Sequence, residues 1–245
     1  MGEHRVLCGD ATDPHDVAIV MGNGKAQCVW TDPPYGVNYE GGTSDHLTIR
    51  NDQPESIRSL LEQSFAAIDQ VLAPGAAIYI CHPAGAGSVT FGQQFVAQGW
   101  RLHQTLVWVK DRLVPGHSDY HYRHEPILFG YKAAAKGRRG RGSAGWFGAN
   151  NQDSVFEFAS ARRNDEHPTS KPVALVEAML KNSSKSGGTV LDPFLGSGST
   201  LIACQQLGRR CAGIEIDPRY VDVTVRRWEQ LTGGKAELRT MEAAA

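Results

Sequence analysis

Val190-Leu191-Asp192-Pro193-Phe194-Leu195-Gly196-Ser197-Gly198-Ser199-Thr200 reads as an apolar strand that ends on an acid, turns through glycines and enters a helix from Leu201 to Leu207. Glycine lets the backbone approach a ligand closely, and the helix start offers N–H donors with no partner inside the helix. Further on, Gly213-Ile214-Glu215-Ile216-Asp217 places a carboxylate at the end of the next strand, where a ribose can donate two hydroxyl hydrogen bonds. Together these two features describe a nucleoside site. A dinucleotide site is the rival, but the turn is not G-x-G-x-x-G and Asp192 stands where a pyrophosphate would sit. That acid suits a cationic ligand better.

Outward from this turn the chain alternates short apolar runs with helical patterns, the signature of a parallel sheet covered by helices. The runs end or centre on Val29-Trp30, Ala76 to Ile80, Thr105 to Val109, Ile127 to Phe129, Val190-Leu191 and Ala212 to Ile214. Between them Ile57, Leu60, Leu61, Phe65, Ile68, Val71 and Leu72 recur at helical spacing, with Pro74-Gly75 as the expected stop. Ser170 before Lys171-Pro172 reads as the cap of a helix running to about Asn182, and Asp217-Pro218 repeats the device for a last helix through Trp228 and Leu231. From Lys132 to Asn151 the composition turns to Ala, Gly and Arg with little periodicity, a long loop or small insertion.

A second motif, Thr31-Asp32-Pro33-Pro34-Tyr35, directly follows a strand. Two prolines impose an extended, rigid segment, so that the Asp32 carboxylate and the Pro33 carbonyl can point the same way beside the ring of Tyr35. Two such acceptors can hold both hydrogens of an exocyclic amine and aim its lone pair at an electrophile, while the ring stacks on the base.

On these residues the chain resembles the amino-group DNA methyltransferases of the beta arrangement, which use S-adenosylmethionine. Asp32-Pro33-Pro34-Tyr35 is similar to their catalytic motif and Asp192-Pro193-Phe194-Leu195-Gly196-Ser197-Gly198 to their cofactor motif, in the order that this arrangement has. His167-Pro168-Thr169-Ser170-Lys171-Pro172 resembles the segment that closes over the methionine end, and Leu7-Cys8-Gly9-Asp10-Ala11 the segment near the adenine. The resemblance implies one α/β domain over the whole chain: a Rossmann-like, mostly parallel seven-stranded sheet with one antiparallel strand, helices on both faces and a circularly permuted motif order. It implies that Glu215 holds the ribose, and Asp10, Ala11 and Ile216 the adenine end. It puts Asp192, Phe194, Gly196, Ser197 and Gly198 along the pocket, and Lys171, Ser170 and His167 at the methionine carboxylate. Asp32, Pro33, Pro34 and Tyr35 would orient the target amine of a base flipped out of the duplex. The glycine-rich Gly41-Gly42-Thr43-Ser44-Asp45-His46 is a candidate flap over that base.

The expected reaction is adenine N6 methylation of double-stranded DNA. Cytosine N4 methylation is the near alternative, since both bases present an exocyclic amine and cytosine enzymes more often carry Ser at the position of Asp32. An inactive DNA-binding regulator on the same scaffold is the alternative of another class.

The chain has 245 residues, with 25 Lys and Arg against 26 Asp and Glu for a net charge of −1. An all-over basic coat is therefore excluded, and any phosphate-binding surface is local. From Arg101 to Arg141 nine bases face three acids, so that stretch carries +6 and the remainder −7. Arg112, His117, Tyr122, Arg123, Lys136, Arg138, Arg139 and Arg141 are the candidate DNA-contacting residues, with Tyr120, Trp146 and Phe147 as possible stackers. The target-recognition insertion is expected at about 116–163, short enough to suggest a short target or help from a second copy in a homodimer. A partner restriction endonuclease, or life as a solitary or phage-borne modification enzyme, are both open readings.

Five cysteines (Cys8, Cys28, Cys81, Cys204, Cys211) lie far apart with no C-x-x-C pair, which argues against a disulfide framework and a zinc cage and fits a reducing cytoplasm. His117, His121 and His124 have no cysteine partners nearby, so no metal site is expected. The uncharged stretch from Gln70 to Trp100 is broken by prolines and glycines, and no membrane span is expected.

Overall fold

The structure, a computed structural model, describes residues 1–36, 53, 55–114, 119–134, 140–143, 145–160 and 170–239. Runs that are apolar on both faces form the centre of a sheet: β2 (Ala26–Thr31), β3 (Leu72–Cys81), β5 (Tyr122–Tyr131), β7 (Thr189–Asp192) and β8 (Arg210–Glu215). β1 (Arg5–Cys8), β4 (Arg101–Val114) and β6 (Val155–Glu157) complete it. The strand order is β1-β8-β7-β2-β3-β5-β4-β6. β5 runs antiparallel to both its neighbours, and every other pairing is parallel. The sheet thus has the single reversed strand that the family resemblance implies, and one strand more than the expected seven, the short β6 at the edge.

Alternation sends successive side chains of each strand to opposite faces. Val29, Ile78 and Ile80 join the core under α1 (Pro14–Met21), α2 (Ile57–Val71) and α3 (Gly87–Ala97). Cys28, Trp30, Ala77 and Tyr79 join the other core, under α4 (Val173–Ser183), α5 (Ser199–Leu207) and α6 (Pro218–Thr232).

Two helix ends depart from the sequence reading. α2 stops at Val71, before Pro74-Gly75, because Leu72 is already extended and pairs with Ala26. Ser170 does not cap α4: Pro172 occupies the cap position without a side-chain hydrogen bond, and the Ser170 hydroxyl is used elsewhere. Asp217 caps α6 as expected, accepting the Arg219 N–H at 2.9 Å. Asp13 caps α1 in the same way, ahead of Pro14. The expected insertion at 116–163 includes β5, which is an integral strand between β3 and β4. Among the described residues no helix is long and apolar enough to cross a membrane.

Candidate active site

Both chemical motifs start at the carboxyl ends of adjacent strands. β2 and β7 pair through Val29 and Leu191, and from that seam the chain proceeds outward in opposite directions, β2 to β3 and β7 to β8. In open α/β sheets this switch point is where a crevice opens above the strand ends. Thr31, the last residue of β2, donates its hydroxyl to Asp192 at 2.9 Å. The Thr200 hydroxyl on α5 donates to the other Asp192 oxygen at 2.5 Å, and the Phe194 N–H adds a bond at 3.2 Å. Asp192 is buried, and burial outweighs these donors to push its carboxyl up to about 7. Its oxygens tie the glycine turn to β2 instead of standing open to a cationic ligand, as the sequence reading had them.

The turn itself is built around close approach. Gly198 lies in the left-handed region at φ +84, and a Cβ there would meet the Thr224 side chain at 2.7 Å. Thr224 donates to the Gly196 carbonyl at 3.1 Å. Ser197 and Ser170 share a hydroxyl contact of 2.6 Å, and Arg227 of α6 donates to the Ser197 hydroxyl at 3.0 Å. The buried Ser199 hydroxyl, at the start of α5, has no hydrogen-bond partner among the described residues.

Glu215 ends β8 and closes the turn from the other side. Its two oxygens accept the Gly196 N–H at 2.8 Å and the Asp217 N–H at 2.9 Å. Burial lifts its carboxyl above the ordinary glutamate value against those two donors. One strand further out, Gly9 donates its N–H to the Glu215 carbonyl at 3.1 Å, so the end of β1 lies beside Glu215 and Ile216. There Asp10 accepts both the N–H and the hydroxyl of Thr12 at 2.8 Å, next to buried Ala11. The structure therefore brings Asp10, Glu215, Ile216 and the glycine turn to one edge.

Asp32 sits on the opposite side of the seam, partly buried. Tyr35 donates its hydroxyl to Asp32 at 2.8 Å and reaches Glu125 at 3.3 Å. The Lys171 ammonium pairs with the second Asp32 oxygen and with Glu125 at 3.1 Å, while Lys110 pairs with Glu125 at 2.5 Å. Lys171 also stands 5.6 Å above the Tyr35 ring, which meets the Phe91 ring in a T-shaped contact. One face of the Tyr35 ring thus lies under an ammonium. Lys171 turns to Asp32 rather than toward the glycine turn. Burial raises the Asp32 carboxyl above its ordinary value despite Lys171. Burial works against the charged form of Lys171, but Asp32 and Glu125 hold it protonated, its pKa raised.

Glu125, Lys110 and Arg227 had no place in the sequence reading of the site, and Thr31 stood at the head of the second motif without a role. Glu125 and Lys110 were counted with the charges of the basic stretch. They meet because β4 and β5 pair Trp108 with Glu125, which sets Lys110 diagonally across on the same face. That register is a long-range fact that no local pattern carries.

The basic stretch is divided by the fold. Arg112, Tyr122 and Arg123 are exposed on the β4–β5 hairpin at the strand edge that carries Asp32. Arg101 opens β4 at the far edge, and Lys132 is tied to Asp69 at 3.0 Å. Arg141 donates to the Asn150 carbonyl, beside Gly140, whose Cβ would lie 3.2 Å from the Tyr131 hydroxyl, again at the far edge. Phe147 bonds by its N–H to Asn182 at the end of α4, and Trp146 packs on the core, so neither is near Asp32. His117, Lys136, Arg138, Arg139, His167 and the 41–46 flap lie outside the described residues. Among the described residues no three His, Cys, Asp or Glu side chains group as a metal ion would need.

A family model described as DNA methylase matches residues 26–226. The Type II methyltransferase M.HpaI of Haemophilus parainfluenzae is 29% identical over 83% of this chain and 68% of its own length. The Type II methyltransferase M2.DpnII of Streptococcus pneumoniae is 26% identical over 82% of this chain and 81% of its own. Among solved structures, the M1.HpyAVI–SAM complex superposes with a TM-score of 0.68 at 23% identity, covering 91% of this chain and 98% of that one. The cytosine-N4-specific PvuII DNA methyltransferase superposes with a TM-score of 0.69 at 13% identity, over 91% and 85% of the two chains. These two likenesses concern the fold.

Proposed function

This chain belongs to the N6/N4 DNA methylase family, and we propose that it transfers a methyl group from S-adenosylmethionine to the N6 amino group of adenine in double-stranded DNA. The observation that carries the reading is the junction of the two motifs: the carboxylate of Asp32 stands one residue from Thr31, which is bonded to the head of the glycine turn. An amine receptor and a nucleoside pocket therefore share one seam.

The residues present fit the cofactor. Each Glu215 oxygen takes one backbone N–H and keeps acceptor capacity for a ribose hydroxyl. The unpartnered Ser199 hydroxyl and the start of α5 supply donors beside the turn. Arg227, Ser197 and Ser170 form a polar, cationic flank suited to the methionine carboxylate. When bound, S-adenosylmethionine supplies an activated methyl: the amine nitrogen forms the new N–C bond as the C–S bond breaks, and the electron pair stays on sulfur in S-adenosylhomocysteine.

The protein's own part is orientation. An ionised Asp32 accepts one amine hydrogen and holds the nitrogen lone pair toward the methyl carbon, so positioning supplies most of the rate. Tyr35 fixes the carboxylate by its hydroxyl. The proton that the nitrogen sheds leaves along the hydrogen bond to Asp32 and passes to solvent. Arg112 and Arg123 flank the entry on the hairpin and meet the phosphates, and the base is flipped to reach Asp32, at a cost of a few kcal/mol. The relatives are Type II methyltransferases, so a nuclease reading the same site is the expected counterpart.

The test is incubation of the protein with duplex DNA from a methylation-deficient host and S-adenosylmethionine, followed by nucleoside analysis. N6-methyldeoxyadenosine supports the reading, and N4-methyldeoxycytidine as the sole product, or unmodified DNA at every protein concentration, overturns it.

A further inference from the structure

The acid that joins the catalytic centre from outside both motifs is Glu125. It stands on β5, the reversed strand, and touches three groups at once: Lys110 at 2.5 Å, Lys171 at 3.1 Å and the Tyr35 hydroxyl at 3.3 Å. Lys171 and Tyr35 are also the two partners of Asp32. Both donors of the catalytic carboxylate are thus shared with a second carboxylate, which is itself anchored by a second ammonium. Two acids and two bases leave the group neutral, the condition under which charges tolerate burial.

We propose that Glu125 is a positioning residue for methyl transfer, which by sharing Lys171 and Tyr35 keeps Asp32 available to the target amine, and that Lys110 sets the strength of this sharing. The inference rests on the methyl-transfer reading given above and deepens it. Without Glu125, the Lys171 ammonium has Asp32 as its one carboxylate partner in the centre. A full, buried ion pair would then compete with the amine for the same oxygens. With Glu125 in place, the ammonium divides its hydrogen bonds, and Asp32 keeps the electron density an amine hydrogen needs.

The charged and titratable groups that face Asp32 are Lys171 from the segment before α4, Glu125 from β5, Tyr35 from its own loop, the Cys81 thiol from β3 and Asp192 from β7. Lys110 on β4 acts through Glu125. Within this set Glu125 raises the Asp32 carboxyl and Lys171 lowers it. Removing the charge of Glu125 while Lys171 stays therefore makes Asp32 more acidic. Removing the charge of Lys110 leaves Glu125 uncompensated and makes Asp32 less acidic. A residue that only braced the fold would give neither shift.

The experiment is kcat against pH for Glu125→Gln, Lys110→Met and the wild type, on duplex DNA from a methylation-deficient host. Glu125→Gln is expected to lose roughly tenfold in kcat, with KM for S-adenosylmethionine within about twofold of wild type. Its acidic limb is expected to move to lower pH by roughly half a unit or more, and that of Lys110→Met to higher pH. Limbs that stay in place, or that move in the same direction, overturn the proposal while leaving the methyl-transfer reading intact. A wild type that methylates no DNA at any pH overturns both. Should Glu125→Gln not fold, Lys110→Met decides alone, by an upward shift or by none.

Discussion

The hydroxyl of Thr31 donates a 2.9 Å hydrogen bond to the carboxylate of Asp192, and in doing so joins the strand that leads into Asp32 and Tyr35 to the strand that leads into the glycine turn. Nothing else in the first motif reaches so directly into the second. Thr31→Val keeps the shape and removes the donor, leaving a buried carboxyl with one bond fewer. The expected cost is about 1–3 kcal/mol in denaturant unfolding. Methyl transfer should fall as well, because Asp32 is the next residue and its placement depends on the seam. Unchanged stability would mean that Thr200 and the Phe194 N–H suffice for Asp192.

Asp32→Ala removes the acceptor on which orientation of the amine depends. Transfer should fall by about a hundredfold or more. Duplex DNA affinity and the affinity for S-adenosylmethionine should stay close to wild type, measured by titration. A variant that kept its rate would remove Asp32 from the chemistry.

Cofactor affinity should depend on pH through Glu215. Its carboxyl is raised by burial, so as pH falls through that value the group takes up a proton and loses one acceptor for the ribose. The dissociation constant for S-adenosylmethionine is expected to rise on acidification, beginning above the ordinary glutamate range. Glu215→Gln should bind more weakly at neutral pH and lose that dependence. Calorimetric titration at a series of pH values checks both statements.

Gly198→Ala should be costly out of proportion to one methyl group. The residue has φ +84, and the added carbon would lie 2.7 Å from Thr224, which braces the turn by its bond to the Gly196 carbonyl. A loss of about 1–3 kcal/mol is expected from the backbone conformation alone. Weakened cofactor binding should accompany it, because the start of α5 moves with the turn.

Arg112 and Arg123 extend on the hairpin at the Asp32 edge, whereas Arg141 lies at the far edge of the sheet. Replacing Arg112 and Arg123 together by Ala should weaken duplex binding and reduce the salt slope of log K by roughly two. Arg141→Ala should leave that slope unchanged. An equal effect of all three would restore a single basic face running along the whole stretch.

The sheet and the placement of the motifs on it were legible in the sequence where the signal is local. Apolar runs marked β2, β3, β5, β7 and β8, the Asp-Pro cap marked α6, and the glycine turn was read together with Glu215, which the fold brings to it. β1, α1, α3 and β6 were less visible, because four- and three-residue edge strands and a helix rich in Gly and Gln carry little periodicity. What depends on register was not visible. Charge counting joined Lys110, Glu125, Lys132 and Arg141 into one basic stretch. The β4–β5 pairing sends the first two into the charge cluster around Asp32, Lys132 to Asp69 and Arg141 to the opposite edge. Lys171 was legible as a site residue, but its partner Asp32 lies 139 positions away and only the fold brings them together.

The central claim, that Asp32 presents an adenine amine to a methyl donor bound at the Glu215 turn, is tested most directly by identifying the product. DNA from a methylation-deficient host, treated with the protein and S-adenosylmethionine, is digested to nucleosides and analysed by mass spectrometry. The account predicts N6-methyldeoxyadenosine from wild type and none from Asp32→Ala. N4-methyldeoxycytidine as the sole product, or DNA left unmethylated by the wild type, would contradict it.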